Sequence, residues 1–367
     1  MGTVFVTGGS GFIGGALLDA LRERGEQVSA LARSPAAEAA VTGRGATAVR
    51  GDLTDAEALR AGMAGSELVV HCAAKLVGGP REAAEFHRVN VEGTRAVLDA
   101  ARATKVPRLI SLSTEQVLLG ERPLVDVDES WPYPQRPASP YARTKGEAER
   151  LLLEASTRSL ATIAIRPRLV WGQGDRTVLP SLVRAARSGR LRWVDGGSYL
   201  TSTTHVRNVV EGVLAAAERG RGGEAYFVTD GPPVTFRGFA TALLATQDVP
   251  APTGTVPRWL ARWLAALAGV AWRLLPLSGA PPLDPVTLRV VGEPCTVRDD
   301  KARRELGYEG KVSRERGFAE LRSSAAADGS VPAPRVPPAQ ASAVPAGPAM
   351  LTADPDSEPD PGGSPTP

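Results

Sequence analysis

Two cysteines and three histidines are all that the 367 residues hold of those types, and their placement limits the chemistry. Cys72 and Cys295 stand far apart, without a CxxC or the spacing of a metal site, and Cys72 falls in an apolar run. They read as reduced structural thiols. His71, His87 and His205 are equally dispersed, so no metal is expected. Aromatic residues make up only 5% of the chain, and the arginines are not gathered into a stripe with them, which leaves nucleic-acid binding without support. Net charge is only +3, although the isoelectric point is near 9.0. No uncharged apolar run of roughly eighteen residues is present, which argues against a membrane-spanning helix. The first residues lack a basic start, an apolar run and a small-residue cleavage site, so export is not expected and the chain reads as cytoplasmic. No GxSxG elbow or supported Cys–His pair suggests hydrolysis.

What is present is a regular alternation, with a hydrophobic content of 43% that suffices for a sizeable core. Short apolar runs at 3–7, 27–32, 46–49, 68–71, 108–111 and 162–165 alternate with helical patterns. This predicts an α/β fold, a doubly wound parallel sheet of the Rossmann type covered on both faces, with ligands beyond the carboxyl ends of its strands. The sheet domain is expected over residues 1–175. Past it the regularity loosens, and residues 176–322 read as mainly a smaller, discontinuous substrate lobe. Parts of 200–235, with a helix over 206–218 and a strand over 225–228, return to the sheet. Residues 323–367 are Ala, Pro, Ser and Gly, ending in Asp354, Asp356, Glu358 and Asp360, and are expected to be a disordered tail.

The first apolar run turns at once into Thr7-Gly8-Gly9-Ser10-Gly11-Phe12-Ile13-Gly14. A diphosphate needs backbone N–H donors without side chains in the way, and a helix N-terminus supplies them. Gly8 permits the tight turn, Gly11 lets the backbone approach a pyrophosphate, and Gly14 allows the helix to pack on the strand. The spacing is GxxGxxG. Following a strand and opening an amphipathic helix with Phe12, Ile13, Leu17, Leu18 and Leu21, it predicts a dinucleotide site. Where an acidic residue would accept the ribose hydroxyl of NAD, the second strand ends in Arg33, which could pair with a 2′-phosphate. NADP(H) is therefore favoured and NAD(H) remains open.

Tyr141 and Lys145 stand four apart, on one face of a helix that Pro140 can begin. A phenol is a poor base at neutral pH, and a nearby ammonium favours its phenolate. Upstream, Ser111, Ser113 and Thr114 put hydroxyls at a strand's carboxyl end, where a ligand should lie. Between 257 and 275, Trp259, Leu260, Trp263, Leu264, Leu267, Val270, Ala271 and Leu274 recur at helical spacing, interrupted by Arg258, Arg262 and Arg273. Core packing or a lid is the plain reading, with a peripheral membrane contact as the alternative.

Taken together, these motifs resemble an extended short-chain dehydrogenase/reductase, of the superfamily that also holds nucleotide-sugar epimerases and dehydratases. The likeness runs from residue 3 to about 322: the glycine loop, Gly51-Asp52-Leu53, Val70-His71-Cys72-Ala73-Ala74, Asn90-Val91-Glu92-Gly93-Thr94, Ser113-Thr114, Tyr141 with Lys145, and Arg166-Pro167. By this resemblance Asp52, beside Leu53, bonds the adenine edge, Ala73 and Ala74 line the dinucleotide groove, and Asn90 supports the active-site backbone or a water path. Thr114, with Ser113 as fallback, corresponds to the hydroxyl that bonds the substrate oxygen. Tyr141 exchanges a proton with that oxygen, Lys145 lowers the Tyr141 pKa, and hydride passes between substrate carbon and nicotinamide. A homodimer through helices near 88–104 and 141–156 is also implied.

Nucleotide-sugar members commonly carry Asn where this chain has Leu169. The run from Ile165 through Asp175 to Gly189, and Thr204-His205-Val206-Arg207-Asn208, resemble the 3β-hydroxysteroid dehydrogenase branch instead, with Arg207 standing where an Asp is usual. That branch implies an oxidoreductase for the hydroxyl or keto group of an apolar small molecule. A nucleotide-sugar epimerase or dehydratase with tightly held NAD and a dinucleotide-sensing regulator are the alternatives.

Overall fold

The computed structural model describes residues 2–76, 78, 82–274 and 285–329. Seven strands build the main sheet: β1 Thr3–Thr7, β2 Gln27–Ala32, β3 Thr47–Arg50, β4 Leu68–His71, β5 Arg108–Leu112, β6 Ala161–Pro167 and β7 Glu224–Val228. Their order is β7-β6-β5-β4-β1-β2-β3, parallel throughout. The winding reverses between β1 and β4, which opens a crevice at the carboxyl ends of the two strands.

These strands are apolar because they are covered on both faces. Along β1 the side chains alternate. Val4 and Val6 join one core with Leu17, Leu18 and Leu21 of the helix Phe12–Glu23 and Val209 and Val213 of the helix Val206–Arg219. Phe5 enters the opposite core, with Leu59 and Met63 of Ala56–Met63, Val97 and Leu98 of Gly93–Ala103 and Leu152 of Pro140–Glu154. A further core lies off the sheet, where Trp171 and Trp193 pack with Phe236, Phe239, Leu243 and Leu244.

Three expectations shift. β5 and β6 run further than their apolar cores suggested, to Leu112 and Pro167. The helix Arg258–Leu274 buries only part of its apolar stripe: Ala261 and Ala265 face the core with Leu264 packed against it, while Trp259 and Trp263 are exposed. Small residues let this helix approach closely, and the two tryptophans are turned outward. Finally, residues 323–329, expected in the tail, continue the helix Arg314–Gly329, which buried Leu321 anchors and whose Ser323 and Ser324 hydroxyls bond back to the carbonyls of Ala319 and Glu320. The rest of that expected tail lies outside the described residues. Among the described residues, no helix is long and apolar enough to cross a membrane.

Candidate active site

After β1 the chain turns through Gly8, whose φ of 74° suits glycine and whose added Cβ would stand 2.6 Å from the Ala73 nitrogen. A Cβ at Gly14 would strike the Gly8 carbonyl, whereas one at Gly11 would meet only that carbonyl, at 3.2 Å. Two of the glycines are thus required by packing, and the third leaves open floor. Gly11 caps the helix Phe12–Glu23 without any side-chain hydrogen bond, so first-turn N–H groups are left for a ligand. This bare cradle fits a dinucleotide diphosphate.

A cavity of about 790 Å³ lies over this end of the sheet. At one side are the glycine loop, Arg33, Asp52, Leu53, Ala73 and Ala74; Ser113, Thr114, Tyr141 and Lys145 are in the middle; Leu169, Val178, Leu182, Phe236 and Phe239 close the far side. Every residue given a catalytic or cofactor-binding role from the sequence lines it except Asn90; Ser111, one strand position before Leu112, does not line it either. Asn90 sits just beneath, in a π-helical turn, Arg88–Glu92. Its Oδ1 accepts from Lys75 N at 2.8 Å, and its Nδ2 donates to Lys75 O at 3.2 Å and to Thr144 Oγ1 at 3.1 Å. Asn90 therefore fastens the segment after β4 to the helix that carries Tyr141.

At the rim, Arg33 is exposed. Asp52 Oδ1 accepts from Thr54 N at 2.7 Å and Thr54 Oγ1 at 2.5 Å. Those two bonds, followed by Arg88 and Arg33, hold the Asp52 carboxyl below its usual range. His71 is buried between Thr7 and Thr94 hydroxyls at 2.7 and 3.1 Å. Burial, aided by Lys145, lowers it to about 3, so it is neutral. Burial also pushes the Cys72 and Cys295 thiols up to about 12, which leaves both unreactive.

Ser139 caps the helix Pro140–Glu154, accepting from Ala142 N at 2.9 Å, and Pro140 sets its first turn. Lys145 donates from Nζ to the Leu112 carbonyl at 2.6 Å. Burial draws it down to about 8, with Glu149 opposing. Tyr141 departs from expectation: burial first and Glu115 second push its phenol above the ordinary range, and a hydrogen bond with Thr114 opposes them. Desolvation in the pocket sets this direction, while the ammonium bonds a strand carbonyl.

Two buried ion pairs flank this trio. Arg166 holds Glu149 through Nε at 3.0 Å and Nη2 at 2.7 Å, and the Tyr133 hydroxyl donates to the same carboxylate at 2.6 Å. Burial pushes Glu149 up, but Arg166, Ser113 and Tyr133 keep it below the usual carboxylate range. Arg168 reaches Glu115 at 2.7 Å, both residues being 2% exposed. Glu115 also lines the cavity. The sequence motifs assign no role to these four charges. The available signal was their position: Glu115 directly follows Thr114, and Arg166 and Arg168 flank a proline at the end of an apolar strand.

The profile of the 3-beta hydroxysteroid dehydrogenase/isomerase family matches residues 5–258. The chain belongs to that family. It is also 49% identical to the 4-hydroxy-2-methyl-3-oxo-4-farnesyl-3,4-dihydroquinoline-1-oxide ketoreductase of Stigmatella aurantiaca, over 89% of this chain and 98% of the relative. The 2-alkyl-3-oxoalkanoate reductase of Stenotrophomonas maltophilia is 38% identical, over 88% of this chain and 99% of its own length. Among solved structures, MoeE5 in complex with UDP-glucose and NAD aligns with a TM-score of 0.68 at 26% identity, covering 90% of this chain and 100% of that one. Like other 3-beta hydroxysteroid dehydrogenase/isomerase family members, the chain is an NAD(P)-dependent oxidoreductase of the extended short-chain type.

Proposed function

We propose that this enzyme interconverts the carbonyl and hydroxyl forms of an apolar small molecule with NADP(H), in the cytoplasm. The lining of the cavity carries the reading: Tyr141, Thr114 and Lys145 stand between the bare glycine cradle and an apolar end of Leu169, Val178, Leu182, Phe236 and Phe239. Arg176, Thr177 and Ser181 also line the cavity beside Val178, but Leu169 cannot make the bond that an Asn would. Both named reductases act on molecules with alkyl or farnesyl chains, which suits the same lining.

Bound nicotinamide would supply or accept the hydride. Tyr141, kept protonated by burial, gives its proton to the substrate oxygen in the reductive direction. Once that oxygen is a hydroxyl, Thr114 can accept its hydrogen bond, with Ser113 beside it. Lys145, steadied on Leu112, holds the cofactor ribose, Asp52 the adenine edge, and Ala73 and Ala74 leave room for the dinucleotide. Arg33 favours the 2′-phosphate of NADP(H).

Trp259, Trp263 and Leu267, exposed by 66%, 65% and 55%, are the face that would meet a lipid surface holding an apolar substrate. A homodimer would use the helices Gly93–Ala103 and Pro140–Glu154. Their outward Arg95, Asp99, Arg143 and Arg150 are exposed, so that interface would be polar. The test is nicotinamide absorbance with NADPH and NADH against dihydrotestosterone, methyl 3-oxododecanoate and UDP-glucose. Turnover of the apolar ketones supports the reading. Turnover of UDP-glucose alone would sink it.

A further inference from the structure

We infer that Glu115 governs whether the carbonyl or the hydroxyl form of the substrate is preferred, by taking the only proton of Thr114. This rests on the proposed reading of the cavity as a carbonyl and hydroxyl site. Thr114 Oγ1 donates to Glu115 Oε2 at 2.7 Å, while Glu115 Oε1 accepts from Arg168 Nη1 at 2.7 Å. A hydroxyl has one proton and two lone pairs. The proton is committed to Glu115, and one lone pair accepts from Gln116 N at 3.3 Å. What Thr114 can offer the cavity is therefore its other lone pair.

A lone pair receives a hydrogen bond from an alcohol and has nothing to give a carbonyl. For Thr114 to serve a carbonyl as the second donor after Tyr141, its proton must first leave a buried carboxylate. Glu115 is a positioning residue in this arrangement, acting through Thr114.

Arg168 keeps Glu115 from turning away. Its Nη2 donates to the Val290 carbonyl, and its Nε has no hydrogen-bond partner among the described residues. A buried guanidinium so short of acceptors claims whatever oxygen stands at position 115. This makes Glu115→Gln a directed change: Arg168 takes the amide oxygen, and the amide N–H then points at Thr114. Thr114 accepts that bond and its own proton is released toward the cavity, so an acceptor becomes a donor.

The experiment measures dissociation constants for dihydrotestosterone and its 3β-hydroxy counterpart, and for methyl 3-oxododecanoate and its 3-hydroxy counterpart. Ketones are titrated with NADP⁺ present and alcohols with NADPH, so that no turnover occurs. In Glu115→Gln the carbonyl compound should bind more tightly and the alcohol more weakly, moving their ratio by about tenfold, a typical worth for one hydrogen bond. A role confined to packing would weaken both together, and that result, or an unchanged ratio, would overturn the inference. If neither pair binds the unaltered enzyme, the proposed function itself falls and the inference with it. Should Glu115→Gln fail to fold, Thr114→Val decides: alcohol affinity must drop with carbonyl affinity unchanged, and equal losses refute the idea.

Discussion

Lys145 Nζ lies 2.6 Å from the carbonyl oxygen of Leu112, the last residue of β5. Through this bond the helix that carries Tyr141 is tied to the strand that delivers Ser113 and Thr114, so phenol and hydroxyls keep a fixed relation. Burial is the first cause that holds the Tyr141 phenol up, so it stays a proton donor. Tyr141→Phe should therefore lower kcat by about two to four orders of magnitude. Cofactor affinity, read by quenching of protein fluorescence, should remain within about threefold of wild type. Retained turnover would remove Tyr141 from the mechanism.

The same lysine predicts a pH dependence. Drawn down to about 8 by burial, Lys145 carries its charge below that pH and loses it above. If that charge holds the cofactor ribose, kcat/KM for the cofactor should fall above about pH 8. Lys145→Arg stays charged across the accessible range, so its profile should lack that limb even if its maximum is lower. A limb that stays near pH 8 in the variant would assign it to another group.

His71 gives a stability prediction of definite sign. Its folded pKa is about 3 against an ordinary value of 6.5, so the unfolded chain binds a proton that the folded chain refuses within that window. Stability is then complete above pH 6.5 and falls as pH drops toward 3, at up to about 1.4 kcal/mol per pH unit. His71→Gln keeps a donor and an acceptor for Thr7 and Thr94 but cannot ionise. Its midpoint in urea should decline less steeply between pH 6 and 4 than that of wild type; parallel declines would show that His71 does not dominate acid sensitivity.

Much of this site was legible because backbone needs and burial leave strong marks in sequence. Gly8 and Gly14 are dictated by a positive φ and by contacts that no Cβ could make, and the middle of β1 is the apolar run Val4-Phe5-Val6. Charges that pair inside the fold leave weaker marks. Glu115 and Arg168 are 53 residues apart, and nothing local says that each neutralises the other. The corner near Arg207 makes the same point: the carboxylate there comes from Asp230, which accepts from His205 N at 2.6 Å and Asn208 Nδ2 at 2.8 Å. The Trp-rich helix misled for a different reason. Periodicity marks an apolar stripe without saying whether the small or the large residues face inward, and here Ala261 and Ala265 do.

The proposed preference for NADP(H) rests on Arg33, which leaves the end of β2 exposed at the rim near Asp52. A phosphate on the ribose would meet a flexible, solvated guanidinium there, joined by Arg88, which also acts on Asp52. Screening limits what such an exposed contact contributes, so the preference should be moderate and weaken with salt. Arg33→Ala should raise the Kd for NADPH by about tenfold at low ionic strength and leave that for NADH within about twofold. Repeating the titration in high salt should shrink the difference between wild type and variant. If wild type binds NADH as tightly as NADPH, or if both cofactors weaken equally in the variant, Arg33 is a solvated surface residue and the 2′-phosphate assignment fails.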